Sequence, residues 1–459
     1  MRIRKRDLTR RVKGDLRVEF CGTDLTSYAG LELLRRYFRW MGLSGLIRSH
    51  LREGLVRGDC GAVAMVRLFL GLLFVGGRRL RHVSFLRGDP VLLRFCGLAH
   101  LPSPRTLSRW LKGFRRVSVK QLQSLSAAVV ALSLKGLPLR TLTLDVDGTV
   151  LCTGLQVERA FRGFNPHHRK APSYFPITAH VGESGHILRV QNRSGNVHDG
   201  ASSVPFLREV FGQVKESLPG GYRLRFRLDG AFFQSSVIGL LQARGAGYAL
   251  KVPFWRWVGL KPLIQRQRRW KAVAGEVDAF EKRLRLAPWR RTLRVVLYRK
   301  RVRHRSRKNY QLDLFDPADG HYEYSAVATN LTFSTRRLWK FMCGRGAHEK
   351  VIGELKNGLA FDTIPTSHYQ ANSAWQQIVV LAHNLLTNFQ IDTGAARRSR
   401  SHKGTALFVR KGVETLRFEW LNRAGQLLRP GGRTVLRLMS HPQTQSLFCK
   451  ITQVLNQTA

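Results

Sequence analysis

A mixed β-sheet with covering helices, preceded by a helical N-terminal region, is the fold class that this chain predicts. Three observations predict it. Residues 25–138 carry apolar side chains at helical spacing, as in LELLRRYFRWMGL, AVAMVRLFLGLLF and SAAVVALSL. From residue 139 short alternating strands interleave with helices, a succession that packs as a sheet covered by helices. A β-prone block over 254–330 then separates this first part from a second helical stretch over 331–392.

Each element has a local cause. In LPSPRTLSRWLKGFRR, Ser103 is placed to cap a helix and Pro104 to start it, because a serine hydroxyl accepts an orphan amide and proline needs none. That helix points Leu107 and Leu111 inward and leaves Arg105, Arg109 and Lys112 outward. It reads equally as a DNA recognition helix or as an ordinary basic surface helix. TLTLDVDGTVL alternates, with Leu142, Leu144 and Val146 on one face and Thr143, Asp145 and Asp147 on the other. SYFPITAHV and HILRVQNRSGN form a hairpin joined around Gly182 to Gly185. A helix over SSVPFLREVFGQVKES, the strand YRLRFRLDG, a helix over SSVIGLLQARG and the strand YALKVP follow. SAWQQIVVLAHNLLTNFQ reads as an amphipathic helix. Residues 1–24 are a basic arm, and 393–459 a basic linker with a small helical tail.

The chain has 459 residues, 43% of them hydrophobic, enough for two to four domains at roughly 150 residues each. Lys and Arg total 78 against 29 Asp and Glu, a formal net charge of +49 spread along the whole length. Such an excess predicts salt-dependent binding to a polyanion, since each neutralised phosphate releases counterions. The expected polyanion is nucleic acid. No membrane is expected, because no run of about 18 apolar residues occurs and Leu68 to Val75 is closed by Gly76 and Gly77. Six widely spaced cysteines without a CxxC pair indicate reduced thiols, and hence a cytoplasmic protein without a zinc or disulfide framework.

Acids are scarce, which makes their placement informative. Asp147 and Asp229 each precede a glycine at a strand end, and FMCGRGAHEKVIGELKNGL sets Arg345, Glu349, Ile352 and Lys356 on one helical stripe. A carboxylate between two cations suits a divalent metal gripping a phosphate. Asp145 shares a strand face with Asp147, so periodicity does not separate them. Asp229 reads alternatively as a plain cap for the following helix. Glu354 falls on the opposite side of the helix from Arg345 and Lys356, which favours Glu349. Trp255, Trp257 and Trp289 read either as core of the 254–330 block or as a platform for a flipped base. His167 and His168 suit a loop better than a metal site. The run Arg299 to Lys308 reads as a DNA track or a solvated hairpin.

At these residues the chain resembles the bacterial insertion-sequence transposases of the DDE superfamily, in the branch with a Tyr-x2-Arg-x3-Glu-x6-Lys signature. Arg345, Glu349 and Lys356 match the last three positions, and Met342 stands at the first. DVDGT around Asp147 and RLDGAFF around Asp229 resemble the two Asp motifs. SGNVHDG and HYQANSAWQQIVVLAHNLL are also similar to stretches of these proteins. The resemblance covers roughly 100–392. It implies an RNase H-like core split as 139–253 and 331–392, with 254–330 inserted and 25–138 binding DNA. It further implies cleavage at transposon terminal inverted repeats and joining of the 3′-OH to target DNA. Asp147, Asp229 and Glu349 would hold two Mg²⁺ (or Mn²⁺) ions, with Arg345 and Lys356 on DNA phosphates and a homodimer pairing the two ends.

Overall fold

The computed structural model describes residues 16–17, 24–52, 59–154, 156–163, 171–197, 199–218, 221–302, 322–399, 405–439 and 441–457. Nearly all of the basic arm, the His167–His168 pair and most of the Arg299 to Lys308 run lie outside them. The N-terminal region is helical as expected: α1 (Leu31–Trp40), α2 (Leu43–His50), α3 (Gly61–Phe74), α4 (Pro90–Cys96), α5 (Pro104–Lys112) and α6 (Arg116–Lys135). Ser103 caps α5 by accepting the Thr106 amide at 3.2 Å, with Pro104 in the first turn. Asp89 caps α4 through the amides of Val91 and Leu92. Helix α6 is long and apolar enough to cross a membrane by length and composition. It packs here along a later helix in a protein core.

Nine strands form one sheet: β1 (Thr141–Gly148), β2 (Ile177–Val181), β3 (Ile187–Gln191), β4 (Arg223–Leu228), β5 (Gly247–Lys251), β6 (Lys271–Ala274), β7 (Val277–Leu286), β8 (Arg291–Arg301) and β9 (Tyr322–Thr329). Their spatial order is β3-β2-β1-β4-β5-β9-β8-β7-β6. Strands β1, β4 and β5 run parallel, β2 pairs antiparallel with β1 and β3 antiparallel with β2, which gives the RNase H-like arrangement. The strands of the 254–330 block add to that sheet through β9, with Val327 opposite Lys251, so the inserted block extends the sheet. Helices α7 (Asp199–Ser217) and α8 (Ser235–Ala243) cover one face, while α9 (Leu260–Arg266) precedes β6. Helices α10 (Thr335–Cys343), α11 (Gly346–Leu359) and α12 (Tyr369–Asp392) follow the sheet.

Helix α12 departs from the amphipathic expectation, because every residue from Ala371 to Gln390 is buried. It runs between the N-terminal helices and the sheet, and shares one continuous core with α1 to α6 and α11. The residues that read as its polar face pair with other buried groups. Asn384 accepts the Ile187 amide at 2.9 Å and donates to the Ile187 carbonyl at 2.8 Å. Gln377 donates to the Val190 carbonyl, and Gln213 of α7 to that of Leu188. These amides occupy the free edge of β3, which would otherwise bury unpaired backbone groups or template another strand. An Asn384→Leu variant is expected to lose about 2–6 kcal/mol, because two buried backbone groups at about 1–3 kcal/mol each lose their partner. Urea unfolding at constant m-value measures this.

A second consequence concerns pH. His186 is enclosed, with Nε2 facing the Asn388 Oδ1 at 2.6 Å and Nδ1 facing Ser184 at 2.8 Å. Asn388 donates its Nδ2 elsewhere, to the Val129 carbonyl, so Nε2 of the imidazole is the donor. Burial pushes His186 down to about 3, with Arg410 and His180 adding to the shift against the Asn388 bond. His383, bonded to the Gly185 carbonyl, is lowered in the same sense, again mainly by burial. The unfolded chain takes up these protons near pH 6.5 and the folded chain does not. Stability is therefore fully present above about pH 6.5 and falls on acidification, by about 1.4 kcal/mol per pH unit for each histidine. Denaturation at pH 7.5 and 5.5 should show this slope, reduced in His186→Gln.

The C-terminal segment holds more than helices. Gly425–Leu428 and Val435–Leu438 form a hairpin, which pairs with Leu25–Thr26, and α13 (Val413–Leu416) and α14 (Pro442–Gln457) flank it.

Candidate active site

Parallel pairing of β1 with β4 sets Asp145 opposite Arg227 and Val146 opposite Leu228. The next residues along, Asp147 and Asp229, thus emerge side by side at neighbouring strand ends, where strands lie about 4.8 Å apart. Glu349 arrives from the first turn of α11. The acids meet around one side chain. Arg345 places Nη2 at 2.6 Å from the Asp147 Oδ2 and at 4.0 Å from the Asp229 Oδ2, and Nη1 at 4.0 Å from the Glu349 Oε1. Since Asp147 and Asp229 touch the same nitrogen, their oxygens are no further apart than those two contacts laid end to end. Glu349 is 71% exposed, whereas Arg345 is only 9% exposed.

The expected continuous helix through Arg345 is broken. Helix α10 ends at Cys343, Gly344 follows, and Arg345 is the N-cap of α11. The cause is Arg227, whose Nη1 donates to the Phe341 carbonyl at 2.9 Å. A Cβ at Gly344 would sit 2.1 Å from that Nη1, so only glycine fits. Sequence periodicity does not reveal this break, because the signal lies on a strand more than a hundred residues away.

The structure separates Asp145 from Asp147. Asp145 is buried in a two-bond pair with Arg227, at 2.5 and 2.6 Å, and His180 stands 3.4 Å away. Burial pulls its carboxyl upward, but His180 and Arg227 outweigh that and hold it below the usual range. Asp147 remains 27% exposed, with Oδ1 accepting the Gly148 amide at 3.0 Å. Burial likewise raises Asp229, and Arg345 with Lys251 more than reverses it, so the carboxylate stays ionised below the normal range. Lys251, at 3.4 Å from Asp229, was absent from the candidates read from sequence, because nothing in YALKVP marks a strand-end lysine as near an acid on the next strand. His348 was also missed. It turns inward from α11, contacts Thr178 at 3.0 Å and packs edge-on against His180.

Lys356 donates to the Val150 carbonyl at 2.9 Å, just beyond Asp147, and burial lowers its pKa against the pull of Asp362 and Cys152. Glu354 points away from the site, accepts the Val413 amide at 3.0 Å and is raised by burial. Arg105, Arg109 and Lys112 are exposed on the outer face of α5, above buried Leu107 and Leu111, and bond to none of the three acids among the described contacts. Tyr369 donates its hydroxyl to the Asn192 carbonyl at 2.6 Å. Trp255 and Trp257 are 45% and 41% exposed and stack at 5.8 Å on one another. Phe233, four residues beyond Asp229, supports both, along with Trp289.

Among the described residues no three His, Cys, Asp or Glu side chains lie close enough to enclose one ion together. The donor chemistry nevertheless fits a hard divalent cation. Three carboxylates converge on one guanidinium, and the exposed Glu349 has room to turn.

No curated protein matches the sequence. Among solved structures, the chain is similar to piggyBac transposase in a synaptic complex with hairpin DNA, at 12% identity and a TM-score of 0.38 over 78% of this chain and 75% of that one. The family model described as transposase DDE domain group 1 matches residues 9–459, almost the entire sequence, and the chain therefore belongs to that family.

Proposed function

We propose that this chain is a DNA transposase that binds terminal inverted repeats, cleaves DNA at the transposon ends and joins the freed 3′-OH to target DNA. One observation carries the proposal: three acids far apart in sequence meet around Arg345, two from the ends of adjacent strands and one from the first turn of α11. Asp147, Asp229 and Glu349 would hold Mg²⁺ or Mn²⁺, two ions in all. When bound, such ions activate water and stabilise the leaving oxygen. Arg345 and Lys356 grip phosphates beside the cut, and Arg345 with Lys251 holds Asp229 ionised. Water and then the 3′-OH are the nucleophiles, so no protein side chain forms a bond to DNA. The exposed faces of Trp255 and Trp257 accept an unstacked base near the cleaved end. Arg105, Arg109 and Lys112 contact the repeats, on the strength of their exposure and the +49 charge. A cytoplasmic homodimer holding two ends completes the proposal.

The test is incubation of duplexes bearing the ends of the encoding element with Mg²⁺ and target plasmid. Joined products that vanish in Asp229→Ala support transposition. Cleavage without joining identifies a nuclease. Binding without cleavage identifies a non-catalytic descendant, an outcome that Met342 at the signature tyrosine position makes worth checking.

A further inference from the structure

Helix α11 carries Arg345 at its cap, Glu349 in its first turn and Lys356 in its last, so its axial position decides where all three stand. Its C-terminus is held unusually. Arg417, from the C-terminal segment, donates to the Gly358 carbonyl of α11 and also to the Leu73 and Phe74 carbonyls that end α3, the latter at 2.9 Å. Arg78, just after α3, donates to the Asn357 carbonyl at 2.6 Å and pairs with Asp362 at 2.7 Å. Two helix C-termini, each with partial negative charge, thus converge on two guanidinium groups. The same helix end contains Ala360 with φ 59°, a left-handed conformation that a non-glycine residue keeps only when its surroundings impose it. Ala360 is fully buried, and its carbonyl accepts Trp375 Nε1 at 3.0 Å.

We infer that Arg417 and Arg78 are positioning residues for catalysis: they clamp α11 to the end of α3 and so fix Arg345 and Glu349 relative to the strand-borne acids. The inference rests on the proposed function for its kinetic consequence, but not for its structural one. Burial lowers Arg417 to about 10, so it remains charged at neutral pH and its two sets of acceptors keep their cation. Glu349 lies nine residues from Gly358, about 13 Å along the helix, so neither arginine touches the reacting atoms. The clamp also joins the catalytic helix mechanically to the helical region proposed to hold DNA ends.

The full-length protein is tested as Arg417→Met, Arg417→Lys and Arg78→Met. Hydrogen exchange, which needs no cleavage, should quicken at residues 346–356 of α11 in Arg78→Met and Arg417→Met, while α12 keeps its protection. End cleavage at saturating DNA should fall about 10–100-fold, the usual range for groups that support a ligand from behind. The DNA Kd should stay within about twofold, the Mn²⁺ concentration for half-maximal rate should rise, and Arg417→Lys should recover part of the rate. Arg78 is 40% exposed, so its variant is expected to fold even if Arg417→Met does not, and it then decides alone. Unchanged exchange in α11 overturns the inference, as does a rate loss that merely follows DNA affinity with the Mn²⁺ dependence unmoved. Absent cleavage by the wild type with exchange altered as expected would count against the proposed function and leave the clamp standing.

Discussion

Glu349→Ala is expected to abolish end cleavage and joining, by about 10³-fold or more, while leaving the fold and DNA affinity nearly intact. The size follows from what a metal-held carboxylate supplies. Metal-centred stabilisation of a phosphoryl transition state is worth several kcal/mol, and about 1.4 kcal/mol corresponds to tenfold in rate. Glu349 is the cleanest of the three acids to remove, because its side chain is 71% exposed and its contact with Arg345 is a loose 4.0 Å. Exposed side chains of this kind typically change stability by about 0.5 kcal/mol or less. Asp147→Ala is less interpretable, since it deprives the 9% exposed Arg345 of its 2.6 Å partner. Removing one negative charge from a strongly basic surface should not weaken DNA binding. Fluorescence anisotropy for affinity, thermal unfolding for integrity and gel analysis of single-turnover cleavage separate the three quantities. A Glu349→Ala protein that cleaves at more than about a tenth of the wild-type rate would remove Glu349 from the site, and Glu354→Ala would then be the comparison.

A large stability effect should come from Asp145→Ala. It leaves Arg227, which is fully buried, without the carboxylate that accepts two of its bonds and balances its charge. Breaking one side of a buried ion pair costs about 3–5 kcal/mol, because the surviving charge stays uncompensated. The Asp145→Leu/Arg227→Met double variant should be far milder, and a buried pair replaced by apolar residues is often close to neutral. The double variant still loses the bond from Arg227 to the Phe341 carbonyl, and with it the cause of the break between α10 and α11. It should therefore fold stably and cleave poorly, the reverse of the Glu349→Ala case only in its structural origin. Urea denaturation of the wild type, Asp145→Leu, Arg227→Met and the double variant closes the cycle, and the coupling is expected to be several kcal/mol in favour of the intact pair.

Local chemistry made much of this molecule legible beforehand. The Ser103–Pro104 start of α5, the hairpin turning at Gly182 to Gly185 and the alternating strand that ends at Asp147 all depend on neighbours within a few residues. That Asp147 and Asp229 should converge was expected from the family resemblance, since two strand-end Asp-Gly pairs do not by themselves say which strands are neighbours. What escaped was set at long range. Helix α12 looked amphipathic because its Asn and Gln residues read as solvent-facing, and their true partners are backbone groups of β3 almost two hundred residues earlier. The 254–330 block read as a β-rich insertion, but nothing local shows that β9 pairs with β5. The helix break at Gly344 depends on Arg227, and Lys251 reaches Asp229 only through the sheet.

The central claim is that Asp147, Asp229 and Glu349 together bind the ions that drive phosphoryl transfer. The most direct measurement is anomalous diffraction from Mn²⁺ in crystals of the protein bound to its DNA ends. Scattering peaks ligated by Asp147 and Asp229, with Glu349 bonded to one of them and the scissile phosphate alongside, are the expected result. Peaks located elsewhere on the protein, or the three carboxylates held more than about 10 Å apart in the DNA complex, would contradict it, since ions that share a reacting phosphate must lie about 4 Å from one another.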